Sequence, residues 1–225
     1  IIADGHHRYE TALTYRDELR PLPGAAANYC MATLVGMDDP GLVILPTHRE
    51  VLNLNGFSAA EFLARAETCF EVAPAAGLED CLARMAAQAP ARHAFGVYAE
   101  GRYHTIVLCD ADRLEPCAPD HGPPGLDPLD VSIAHKLVLE QLLGLPEQPA
   151  EQEPFLRYHR DPRPAIDNVD RGESNLLLLV NSTRVDQVKA YAKRGVKMPS
   201  KSTDFYPKMI AGLTMMPVGP RKNIT

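Results

Sequence analysis

Asn175-Leu176-Leu177-Leu178-Leu179-Val180 is the stretch from which the fold is read. With an apolar side chain at every position from 176 to 180, Asn175–Val180 is expected to be a fully apolar strand. The same run is far too short to cross a bilayer. Outward from it, Thr183–Lys193 has a helical pattern closed by Gly195. Upstream, Leu129–Leu143 is the most strongly amphipathic segment, with Ile133, Leu137, Leu139, Leu142 and Leu143 on one stripe and Gly144 and Pro146 at its end. Proline and charge from Pro146 to Pro164 mark an exposed connection.

Further upstream, α and β signals alternate. Ser58 with Glu61 three residues on is a capping box that starts a helix over Ala59–Cys69. A second helix is expected over Leu78–Gln88. Strands are expected over Phe95–Tyr98 and Tyr103–Cys109, with Glu100-Gly101 as a hairpin tip. Nearer the start, Ile1-Ile2-Ala3 resembles the end of a strand, and Arg8–Arg20 a helix with Tyr9, Ala12, Leu13 and Leu19 as its apolar stripe. Pro21-Leu22-Pro23-Gly24 stops it. Tyr29–Met37 is expected to be a buried strand, paired through the Asp38-Asp39-Pro40-Gly41 turn with Leu42–Leu45. Leu213–Pro217 is expected to be the last strand. The alternation predicts an α+β protein, a mixed sheet with helices on its faces. Three segments are expected: 1–115, a Pro/Gly-rich loop over 116–128, and 129–225, with one continuous domain as the alternative.

Composition narrows the function. A hydrophobic share of 45% and a charged share of 23% fit a globular chain and exclude a wholly disordered, collagen-like or coiled-coil one. The five cysteines have neither the density nor the spacing of a disulfide scaffold or zinc site, and no secretory leader pattern is visible, so a reduced, cytoplasmic protein without structural metal is expected. The net charge of −6 conceals an asymmetry: from Arg184 onward nine Lys/Arg face two acids, a local +7, leaving residues 1–183 at −13. Such a split marks either a phosphate-binding surface or a basic face that complements an acidic body. Nucleic acid is not an expected partner, because the overall charge repels it and no helix-turn-helix, zinc finger or ribonucleoprotein motif occurs. No membrane partner is expected, and oligomeric state is left open.

Chemistry concentrates in Asp4-Gly5-His6-His7-Arg8-Tyr9-Glu10. A glycine turn leading into a helix presents backbone N–H groups to an anion. Arg8 adds a fork for phosphate oxygens, His6 and His7 add donors, and Asp4 is placed to bind a metal carried by a nucleotide or to accept from a substrate hydroxyl. The alternative is an Asp4 N-cap with solvated histidines, or an Arg8 paired internally with Asp4. A second cluster, Lys201-Ser202-Thr203 with Lys208, lies one residue from a P-loop pattern. A helix precedes it and Pro207 follows, so it is read as a hydroxyl- and ammonium-bearing loop that contacts phosphate, or as a structural loop with solvated lysines. Both clusters are expected to meet in one pocket. Thr47-His48-Arg49 is a third polar cluster, with His48 either an acid/base or a satisfied, partly buried histidine.

The Asp4–Arg8 box, followed by Tyr9, Glu10 and then Ala12-Leu13, resembles the phosphate-binding box of the ParB/sulfiredoxin-like superfamily. Sulfiredoxin has cysteine where His6 stands, and ParB-type boxes carry Glu-Arg-Arg in place of His6-His7-Arg8. The form here is closest to the free-serine-kinase branch. Asp39-Pro40-Gly41-Leu42, Ile44–Arg49 and Met198–Lys208 resemble signatures of a bacterial and archaeal family of unknown function with a further N-terminal region, so the chain looks like a C-terminal piece. The resemblance implies ATP or ADP with Mg2+ and a small hydroxyl-bearing metabolite as partners. Asp4, His6 and His7 would then be catalytic, with Gly5, His6, His7, Arg8, Lys201, Ser202, Thr203 and Lys208 on the nucleotide. It equally implies a nucleotide-binding switch without phosphoryl transfer.

Overall fold

Residues 1–109, 126–199, 201–210 and 212–219 are described by a computed structural model. They fall into two units, Ile44–Asp204 and Ile1–Val43 with Phe205–Thr225. Two-residue strands, β1 (Val43–Ile44) and β8 (Phe205–Tyr206), lie where the chain passes from one unit to the other.

The larger unit is built on six strands: β2 (His48–Val51), β3 (Phe70–Ala75), β4 (Ala94–Ala99), β5 (Arg102–Leu108), β6 (Leu156–His159) and β7 (Leu176–Val180). Their order is β3-β5-β4-β7-β2-β6. The α+β class is the one expected. Every pairing, however, is antiparallel rather than mixed. The reason is topological: β3 and β4, joined through a helix, run the same way but are held apart by β5, which hydrogen-bonds to both. Glu100 and Gly101, with φ of 49° and 75°, turn β4 into β5 with the two left-handed residues that a tight hairpin matched to strand twist requires.

Helices cover both faces. α2 (Ala59–Ala66) starts at Ser58, whose Oγ accepts from the Glu61 N–H at 3.4 Å. It ends three residues before Cys69, the expected terminus. α3 (Leu78–Gln88) has the expected bounds. The amphipathic segment is α4 (Asp130–Ile133) continuing into π-helical turns over Ala134–Leu142, a wider coil than the 3.6 periodicity predicts. On one face α2, α4 and the π segment pack Phe62, Ile133, Leu137 and Val138 against Phe95, Ile106, Leu176, Leu178 and Val180. On the other, Cys81 and Met85 of α3 and Ala165 and Val169 of α6 (Arg163–Asp170) pack against Leu177 and Leu179. The expected apolar strand forms over Leu176–Val180 and is buried on both sides. Each such leucine contributes about 1.5–3 kcal/mol, an upper bound because unfolded chains already bury part of this surface.

Several expectations are corrected. Pro146–Pro164 is not a bare connection: it holds α5 (Pro149–Gln152), the edge strand β6 and the start of α6. The helix after Leu176–Val180 is α7 (Val185–Lys193), closed by Gly195 at φ 69°. In the smaller unit α1 spans His6–Leu19, two residues earlier than expected, and none of its side chains is fully buried. Ile1-Ile2-Ala3 and Leu213–Pro217 form no strand, and Tyr29–Met37 is exposed and unpaired in any sheet, with Leu34 92% exposed. β-Propensity was the only signal there, and it yields no strand without a neighbouring edge to bond. The expected turn does form: Asp39 Oδ1 accepts from the Gly41 N–H at 2.8 Å. From Pro116 to Gly125 the Pro/Gly-rich loop, with Cys117, lies outside the described residues.

Candidate functional site

In the smaller unit, Gly5 sits at φ 84° and ψ 27° and is itself the N-cap of α1, so Asp4 does not cap the helix. No side chain caps this end and its first turn carries no acid. The Tyr9 N–H is bonded to the Gly5 carbonyl at 3.0 Å, which leaves the preceding N–H groups directed outward at the positive end of the helix. The Arg8 side chain folds back over Gly5: a Cβ at position 5 would lie 2.8 Å from Arg8 Nη2 and 3.0 Å from Nε. The positive φ favours glycine here, and a Cβ would also push the guanidinium aside.

Arg8 Nη2 donates to Asp4 Oδ2 at 3.1 Å, and Lys208 Nζ donates to Asp4 Oδ1 at 3.4 Å. Arg8 is therefore engaged internally, and Lys208 is brought to the box from the far end of the chain. With Arg8 65% and Asp4 52% exposed, the ion pair is worth about 0–1 kcal/mol and is readily exchanged for an incoming anion. His6 and His7 are exposed, and His7 Nδ1 lies 3.5 Å from Glu10 Oε2.

The larger unit holds a second polar cluster, on β2. His48, Arg49 and Glu50 are all fully buried. Strand alternation puts His48 and Glu50 on one face of the sheet and Arg49 on the other. Glu50 Oε1 accepts from Ser174 Oγ at 2.7 Å and Asn168 Nδ2 at 2.9 Å, and Oε2 lies 2.5 Å from His159 Nε2. Burial pushes this carboxyl up, but the hydrogen bonds from Ser174, Asn168 and His159 outweigh it and hold it below the usual carboxylate value. His48 Nδ1 accepts from the Val180 N–H at 3.2 Å; burial, then the Arg49 charge, lower its pKa to about 4. His48 is thus a neutral structural acceptor, the second of the two alternatives.

Arg49 is different. Its guanidinium donates to the Thr47 carbonyl and, at 3.4 Å, to the Lys201 carbonyl, while Nε has no partner. Among the described residues no carboxylate pairs with it. Burial lowers its pKa to about 10, partly countered by Tyr158. Tyr158, opposite Arg49 across the β2–β6 ladder, lies under the guanidinium at 5.7 Å and under the Lys201 ammonium at 5.8 Å. Lys201 is exposed, at φ 59°. Ser202 is buried, its Oγ donating to the Pro199 carbonyl at 2.6 Å, and its own carbonyl accepts from Thr183 Oγ1 at 2.6 Å. Thr203 is half-buried. Lys201 and the Thr47-His48-Arg49 cluster, read separately from the sequence, therefore lie together. Glu50 is not among the residues the sequence singles out, and Arg49 enters only within the Thr47-His48-Arg49 cluster: a polar triplet after a short apolar run resembles a strand exit, and no local pattern signals its burial.

Among the described residues no three His, Cys, Asp or Glu side chains gather as metal ligands, and no helix is long and apolar enough to cross a membrane. An open, six-stranded antiparallel sheet with helices on both faces defines an α+β protein. The chain belongs to the family described as protein of unknown function, DUF1015, which matches residues 1–132.

Among solved structures it is similar to a conserved hypothetical protein from Pyrococcus furiosus, at 15% identity and a TM-score of 0.46, covering 91% of this chain and 68% of that one. It is also similar to a free serine kinase in complex with AMP (15% identity, TM-score 0.46) and to a variant of a free serine kinase in complex with ADP (12%, TM-score 0.48). Each covers 91% of this chain and 66% of its own, so the chain spans about two thirds of their length. No curated protein matches.

Proposed function

We propose that the protein binds the phosphates of ATP or ADP, carried with Mg2+, at the Asp4–Arg8 turn and directs phosphoryl transfer to a small hydroxyl-bearing metabolite. One observation carries the reading: an uncapped helix N-terminus without a first-turn acid, over which Arg8 is folded back across a left-handed Gly5. That arrangement gathers backbone donors and a guanidinium fork where an anion supplies the missing negative charge. Gly5, His6, His7, Arg8 and Lys208 hold phosphate oxygens; Asp4, His6 and His7 stand at the reacting end, with Asp4 on the acceptor hydroxyl. The transfer itself follows from the likeness of this box to the serine-kinase branch of the ParB/sulfiredoxin-like superfamily.

A second reading, a nucleotide-binding switch without transfer, is favoured by the engagement of Asp4 with both Arg8 and Lys208. Calorimetric titration of ATP and ADP with magnesium into wild type and Arg8→Lys tests the site. The lysine keeps the charge and loses the fork, so nucleotide binding should weaken by about 1–3 kcal/mol with the melting temperature unchanged. Absence of binding at millimolar nucleotide sinks both readings. Binding without product from a panel of hydroxylated metabolites leaves only the switch.

A further inference from the structure

A buried arginine normally meets a carboxylate, and the nearest one in sequence, Glu50, is turned to the opposite face of the sheet and saturated by Ser174, Asn168 and His159. Arg49 has five N–H donors, of which the Thr47 and Lys201 carbonyls take two. The unpartnered Nε lies on the side-on edge shared with Nη2, the edge that forms a two-pronged fork to a pair of oxygens. A second orphan lies near: His135 Nε2 on the π-helical segment is buried without a partner, and the Arg49 charge reaches that ring. Tyr158, whose ring meets the guanidinium, and Lys201, whose ammonium lies over that ring, are both exposed, Tyr158 by 37%. Arg49 is one layer of surface side chains from solvent.

We propose that Arg49 anchors a ligand site, built wholly within Ile44–Asp204, that takes the carboxylate of a small molecule through the Nε–Nη2 fork. The buried edge of His135 Nε2 lines the site, and Tyr158 with Lys201 forms the cover that must be displaced. A carboxylate is favoured over a phosphate because one buried cation calls for one negative charge. A dianion would leave an excess charge in a dry site. His135 and His48 do not alter that count, since both are held neutral at pH 7, with pKa values of about 4. The inference stands independently of the nucleotide reading, because none of its residues belongs to the Asp4–Arg8 turn.

The test is a side-chain 1H–15N titration of the full, uniformly 15N-labelled chain with sodium glycolate, against sodium chloride and inorganic phosphate at constant ionic strength. The Arg49 Nε–H resonance is assigned by its disappearance in Arg49→Lys. Should that variant not fold, it is assigned by the shift that loss of the ring causes in Tyr158→Leu. Glycolate is expected to move this resonance saturably while chloride does not. A resonance that does not respond, or responds only in proportion to salt, overturns the site. Saturation by phosphate but not by glycolate overturns the carboxylate assignment.

Discussion

Acidification should unload His48. The β2–β7 ladder pairs Arg49, Glu50 and Val51 with Leu178, Leu177 and Leu176, and one step beyond it the Val180 N–H is taken by the His48 ring at Nδ1. A proton on Nδ1 would set N–H against N–H inside a fully buried site beside Arg49. The folded pKa of about 4, against 6.5 for the exposed ring, expresses that conflict. In the window between those values the unfolded chain takes up a proton that the folded chain refuses. The contribution of His48 to stability is therefore complete above pH 6.5 and is lost as pH falls toward 4. The full loss is about 3 kcal/mol, and about 2 kcal/mol is gone by pH 5.

Urea unfolding at pH 7.5 and 5 measures this, with His48→Asn as the comparison. Asparagine can present an amide oxygen to the Val180 N–H but does not titrate. His135, whose pKa burial and the Arg49 charge lower to about 4, contributes a loss of the same sign to both proteins and cancels in the comparison. Glu50 has a depressed pKa, so its contribution is lost only below the usual glutamate value of 4.5, outside the window. Between pH 7.5 and 5 the wild type should lose about 2 kcal/mol more than His48→Asn. Parallel losses in the two proteins would refute the reasoning.

Three further outcomes are expected. Gly96→Ala places a Cβ 2.6 Å from Cys81 Sγ and 2.8 Å from Leu179 Cδ1, so it should cost about 1–3 kcal/mol in urea unfolding, part of which Cys81→Ala restores. Glu50→Gln leaves the half-buried ring of His159 facing an amide and disturbs the bonds from Ser174 and Asn168. A loss of about 3–5 kcal/mol in the same assay is expected, and a loss under 1 kcal/mol would show that the carboxylate charge is not what holds this cluster. Arg49→Met removes a charge whose burial, from the drop of its pKa from 12.5 to about 10, costs about 3 kcal/mol, and forfeits two carbonyl hydrogen bonds worth about 1 kcal/mol each. Stability should stay level or rise by up to about 2 kcal/mol. A clear fall in the unfolding midpoint would mark Arg49 as a structural residue.

What was legible in the sequence was local. Leu78–Gln88 and the Glu100-Gly101 hairpin follow from periodicity and turn chemistry within a dozen residues, and Leu176–Val180 is legible as a strand from its unbroken apolar run. The Asp4–Arg8 turn was legible as a glycine-led helix start, although its cap proved to be Gly5 and not Asp4. What was hidden depends on distant partners. β6 reads as a charged connection because an edge strand bonds on one side only and can carry Arg157 and Tyr158 outward. Tyr29–Met37 has the composition of a strand and no neighbour in a sheet. The donors that make Glu50 a tolerable buried residue come from positions 159, 168 and 174, and the carbonyl that caps Arg49 from position 201. No window of sequence contains them.

The two buried charges of β2 stand next to each other in the chain and meet opposite treatment in the fold. A strand sends adjacent side chains to opposite faces, so Arg49 and Glu50 cannot neutralise one another through the sheet. Glu50 is surrounded on its face by a hydroxyl, an amide and an imidazole that leave its oxygens satisfied. Arg49 receives only carbonyl oxygens and keeps an idle Nε. Were charge burial here simply a tolerated accident of register, both residues would bear similar deficits, since both are 0% exposed and share the same ladder. The deficit falls entirely on the side where the covering residues, Tyr158 and Lys201, are exposed and movable. An unmet donor beneath movable cover is the arrangement in which a ligand, rather than another part of the chain, supplies the missing acceptor.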